Sequence, residues 1–89
     1  MSLSDIPQMN NLFRLQFEPA QDAYVLLFPE GMIKLNPSAG EILSRVNGES
    51  SVTEIITSLM IKFPTAGDLT DDVTEFLRTA HDKKWVYYE

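Results

Sequence analysis

The run Tyr24-Val25-Leu26-Leu27-Phe28-Pro29-Glu30-Gly31-Met32-Ile33-Lys34-Leu35-Asn36-Pro37 decides the fold. Its first five residues are apolar on both faces, the pattern of a central strand covered on two sides. Pro29 presets φ at the first turn position, and Gly31 can take the left-handed conformation that closes a type I turn with a bulge. Met32 to Leu35 then reads as the returning strand. Asn36 is a good N-cap, and Pro37 suits a first helical position, where no amide donor is needed. A β-hairpin that leads straight into a helix is therefore legible in this one run.

Upstream, Leu12 to Phe17 alternates, with Phe13, Leu15 and Phe17 on one face and Leu12, Arg14 and Gln16 on the other, as in a half-buried strand. Glu18 to Asp22 supplies a turn. Three strands thus form an antiparallel meander with the Tyr24–Phe28 strand in the middle. Residues 1 to 11 are polar, contain Pro7 and two asparagines, and read as a flexible arm; residues 12 to 89 read as a single domain.

Downstream the period changes to helical. Ala39, Ile42, Leu43 and Val46 form a stripe that Asn47-Gly48 ends. Ser51 and Glu54 make a capping box for a second helix bearing Val52, Ile55, Ile56, Leu59 and Met60, stopped by Phe63-Pro64. A third helix spans about Leu69 to Lys83 with Leu69, Val73, Phe76, Leu77 and Ala80 inward, and Trp85 to Tyr88 closes the chain as an extended aromatic segment. The expected fold is α+β and winged-helix-like: a three-stranded antiparallel N-terminal sheet followed by three α-helices. Gly40 lies inside the first helix, where propensity alone assigns it a cost of about 1 kcal/mol against alanine.

With 89 residues there is room for one core. Seven basic against thirteen acidic side chains give a net charge of -6, so phosphate backbones and anionic membrane surfaces are poor partners. The N-terminus has neither the basic nor the apolar region of a signal peptide, and no apolar run approaches a membrane span of about 18 residues. Cysteine is absent, which removes disulfides, thiolate catalysis and thiolate metal sites and fits a reducing, cytoplasmic setting.

Catalytic machinery is hard to find. His81 is the single histidine and lies near a helix C-terminus, where the helix dipole favours it. Asp68, Asp71, Asp72 and Glu75 share helical spacing that could hold a divalent cation, but acids in a first turn are also what the dipole prefers. No glycine-rich phosphate loop and no nucleophile turn are present. The expectation is a non-enzyme without metal or cofactor. The outer strand at Met32 to Leu35 is different. It has no proline, so either Lys34 guards a merely tolerated edge or the edge accepts a partner strand, backbone bonds giving affinity and apolar pockets selecting side chains.

Leu26-Leu27-Phe28-Pro29-Glu30-Gly31-Met32-Ile33-Lys34-Leu35-Asn36, continuing through Ser38-Ala39 and Glu41-Ile42-Leu43, resembles the PqqD family of pyrroloquinoline quinone (PQQ) biosynthesis. Arg14 to Glu18, Asn47-Gly48, Val73, Phe76-Leu77 and Trp85 support the likeness, which covers nearly everything from Phe13 to Val86. Gly40 departs from a common alanine, and Lys84 from a glycine that often precedes the tryptophan. The resemblance implies a stand-alone precursor-peptide recognition element, without cofactor or chemistry of its own. It would act as a peptide chaperone, binding the ribosomally made peptide PqqA and presenting it to the radical S-adenosylmethionine enzyme PqqE. Related elements add the leader to the edge of the third strand and lay it against the third helix. On this chain that implies Met32, Ile33, Lys34 and Leu35 for the strand, with Val73, Phe76, Leu77 and Ala80 as apolar groove candidates that are also core candidates. Asp71, Asp72 and Glu75 would steer a basic stretch of leader or meet the enzyme, unless they are simply solvated. Ile33→Pro is the natural test, since proline removes a ladder donor.

The alternative reading is a winged-helix regulator of DNA or of another protein, with DNA disfavoured by the acids that precede Arg78, Lys83 and Lys84. The free edge, the arm and short hinges also leave room for a homodimer.

Overall fold

The hairpin is present, and the rest of the chain assembles around it. The computed structural model describes residues 1 to 88. Strands β1 (Pro7–Met9), β2 (Arg14–Glu18), β3 (Ala23–Phe28) and β4 (Gly31–Lys34) precede helices α1 (Pro37–Leu43), α2 (Val52–Lys62) and α3 (Thr70–Asp82), and β5 (Val86–Tyr88) ends the described chain. The main sheet has the order β2-β3-β4, antiparallel throughout. Among the described residues, no helix is long and apolar enough to cross a membrane.

Side-chain alternation puts Leu26 of β3 on the helix side with Ile33 opposite it, while Val25 and Leu27 point the other way. The core joins Leu26 and Leu35 to Ile42 and Leu43 of α1, Ile55 and Leu59 of α2, and Val73, Leu77 and Ala80 of α3. Leu26 and Leu77 are completely buried, each contributing roughly 1.5–3 kcal/mol through the apolar surface removed from water. Met60, expected inward, is more than one-third exposed.

The expected caps form. The Asn36 side chain accepts from the Ala39 N–H at 2.8 Å. Ser51 Oγ accepts from the Glu54 N–H at 3.2 Å, and Glu54 Oε1 accepts from the Ser51 N–H at 2.8 Å. Helix α1 is shorter than the stripe suggested, ending at Leu43, although Val46 beyond it is still buried. At the end of α3 the Trp85 N–H donates to the Ala80 carbonyl and the Lys84 N–H to that of His81, with Lys84 at φ 64°. That is a Schellman closure with lysine in the left-handed position, a place that glycine occupies at less steric cost.

Two expectations need correction here. Residues 1 to 11 do not run free of the domain: Pro7–Met9 pairs antiparallel with Val86–Tyr88, so a second, two-stranded sheet ties the two ends of the chain together. The Leu3 and Asp5 carbonyls also accept from the Thr53 and Val52 N–H groups, two first-turn donors of α2 that have no partner within the helix. Asn10 donates through Nδ2 to the Lys84 carbonyl at 2.8 Å. Gly31 is the second correction. Its φ of 159° is far from the left-handed helical value, and it pairs directly with Phe28 across a two-residue turn at Pro29-Glu30 instead of forming a bulge.

Candidate functional site

The open edge of β4 has a definite chemistry because its register is fixed. The Leu35 N–H donates to the Tyr24 carbonyl at 3.0 Å. Hydrogen-bonded pairs alternate along an antiparallel ladder. Leu26↔Ile33 and Phe28↔Gly31 are therefore the pairs that bond across to β3, while Val25↔Lys34 and Leu27↔Met32 do not. The backbone N–H and C=O groups of Met32 and Lys34 consequently point away from the sheet, toward a strand that is not there. Ile33 already uses both of its backbone groups internally. Met32 is 58% exposed and Lys34 is exposed as well.

Where β4 ends, a groove of about 800 Å³ begins between the N-terminal part of α1 and the outer face of α3. Ala39, Ile42, Leu59 and Val73 are its buried apolar lining, with half-buried Phe76 beside them. Asn36 to Ser38 border one side, and Asp72, Glu75 and Thr79 border the other. These last three sit at helical spacing on the face of α3 next to the buried Val73–Leu77–Ala80 stripe.

Of the residues expected to bind peptide, Met32 and Lys34 lie on the open edge. Ile33 is half-buried, and its side chain packs toward the core. Leu35 lies just beyond β4 and is only 6% exposed, so its side chain is core. Val73 and Phe76 line the groove. Leu77 and Ala80 are fully buried and do not line it. Sequence reasoning placed no site residue on α1, although that wall starts at Asn36, one residue after the Met32–Leu35 stretch expected to bind; the signal available was adjacency in the chain. Among the described residues, no three His, Asp or Glu side chains converge as a metal site.

Glu41 closes the far wall and is held by two cations. Arg45 Nη1 lies 2.9 Å from its Oε1, and Lys62 Nζ donates to both carboxylate oxygens at 3.0 Å. Burial raises the carboxyl pKa, but the hydrogen bonds from Lys62 and Arg45 together outweigh burial and hold the group below the ordinary value of 4.5. A depressed carboxylate contributes stability above its unfolded pKa and loses it as pH falls through the folded one. Wild type should therefore exceed Glu41→Gln in chemical unfolding at pH 7, by at most about 1 kcal/mol for so accessible a pair. That gap should close as the pH drops below 4.5. A gap unchanged down to pH 3 would show that the charge is not its source.

An open strand edge followed in the chain by an apolar groove has the geometry to accept an extended peptide as an added strand. Residues 23–86 match the family model described as coenzyme PQQ synthesis protein D (PqqD). The chain belongs to the PqqD family. It is similar to a "PqqA binding protein" of Azotobacter vinelandii, 47% identical over 85 residues that cover 96% of this chain and 92% of that one. A "PqqA binding protein" of Rahnella aquatilis is 46% identical over 82 residues, covering 92% and 86%. Among solved structures, the solution NMR structure of the PqqD truncation of Methylobacterium extorquens PqqCD superposes with a TM-score of 0.77 at 26% identity, covering 97% of this chain and 93% of that chain. It is described as a functional, stand-alone recognition element for ribosomally synthesized and post-translationally modified peptides.

Proposed function

We propose that this chain binds the precursor peptide PqqA by strand addition along β4 and holds it for the radical S-adenosylmethionine enzyme PqqE. The single observation that carries the reading is the pair of outward-facing backbone donors and acceptors at Met32 and Lys34, adjoining a groove sized for side chains. The names of the relatives support PqqA as the peptide. The protein contributes binding and orientation, and the peptide's cross-linking chemistry belongs to the enzyme.

Titrating isotope-labelled protein with synthetic PqqA tests the binding step. Amide shifts should concentrate at Gly31 to Asn36 and at Asp72 to Thr79. Saturable binding with shifts confined to the β1–β5 sheet would overturn the strand-addition site.

A further inference from the structure

We infer that the groove selects a peptide segment with apolar side chains at every second position and a lysine or arginine where it passes α3. The inference rests on the strand-addition reading above and specifies the chemistry of its ligand.

The spacing follows from register. Residues directly opposite one another on paired strands project to the same face. An incoming residue opposite Met32 or Lys34 therefore stays with those exposed side chains, away from the helices. The residue opposite Ile33, and those two places to either side of it, project to the helix side, where Ala39, Ile42, Val73 and Phe76 offer an apolar surface. Apolar and polar positions of the ligand must alternate for both faces to be satisfied.

The charge follows from an imbalance along the groove. Glu41 is neutralised on its wall by Arg45 and Lys62. Asp72 and Glu75, on the opposite lip, are exposed and have no ion-pair partner among the described residues. Helix-dipole preference explains Asp72, which lies in the first turn of α3 with Asp71. It does not explain Glu75, one turn further on. Two uncompensated carboxylates beside an apolar wall repel an acidic segment and complement a basic one.

The test compares wild type with an Asp72→Lys/Glu75→Lys variant, each titrated with synthetic PqqA and with a PqqA whose lysines and arginines are replaced by glutamate. An Asp72→Asn/Glu75→Gln variant serves if the reversal perturbs α3. Charge reversal should weaken binding of unmodified PqqA about tenfold, neutralisation less, and the glutamate peptide should recover affinity on the reversed protein. Single aspartate substitutions along the bound segment should give losses that alternate between large and small. Affinity within twofold of wild type for both variants, with the Met32 and Lys34 amides still shifting, overturns the charge selection and leaves strand addition standing. Aspartate losses without alternation overturn the spacing. If wild type does not bind PqqA at all, the strand-addition reading falls and this inference with it.

Discussion

Gly40→Ala should destabilise the protein by about 1–3 kcal/mol, although alanine is the better helix former by roughly 1 kcal/mol. An added Cβ at position 40 would lie 2.6 Å from Tyr24 Cδ2 and 3.1 Å from Tyr24 Cβ. Those atoms are a ring carbon next to the ring root and the backbone-proximal Cβ, not the free end of a flexible chain. Gly40 is buried where α1 crosses β3, so α1 or the strand must move to make room. The cost that helix propensity assigns to this glycine is thus reversed by packing. Urea unfolding of the four proteins of a cycle measures it. In a Tyr24→Ala background the ring is gone, and Gly40→Ala should cost much less. An equal loss in both backgrounds would mean the glycine serves some purpose other than close approach to Tyr24.

Proline at neighbouring positions of β4 should separate folding from binding. Met32→Pro removes an N–H that faces solvent, a loss an edge strand tolerates. The protein should keep most of its stability and lose binding of PqqA by tenfold or more, on the order of one to two charge-free hydrogen bonds plus displaced backbone. Ile33→Pro removes the N–H that bonds to Leu26 of the central strand, and should cost about 3 kcal/mol or more of stability. The obvious substitution from sequence, Ile33→Pro, therefore tests the sheet and not the ligand. Calorimetric titration together with thermal unfolding distinguishes the two. A larger loss of stability for Met32→Pro than for Ile33→Pro would show that the register derived for β4 is shifted by one.

The hairpin, the Asn36 cap and the Ser51–Glu54 capping box were legible because each is a local device whose partner lies within a few residues. The β1–β5 sheet was not. Its strands are three residues long, too short to display alternation, and its partners stand at opposite ends of the sequence: Pro7 pairs with Tyr88. The orientation of each backbone group on β4 was also out of reach, because it depends on whether Leu35 or Lys34 bonds across to β3. On α3, periodicity identified Val73, Leu77 and Ala80 as an apolar stripe but could not tell groove from core. Only the position of α1 decides that Val73 and Phe76 line a groove while Leu77 and Ala80 are sealed beneath it. Gly40 illustrates the same limit, since its neighbour Tyr24 belongs to another element.

Amide hydrogen exchange, followed with and without saturating PqqA, tests strand addition at β4 most directly. In the free protein the Ile33 N–H should be protected and the Met32 and Lys34 N–H groups should exchange rapidly. With peptide bound, Met32 and Lys34 should become protected while Ile33 changes little. Tight binding of PqqA that leaves Met32 and Lys34 exchanging at their free rates would contradict the account.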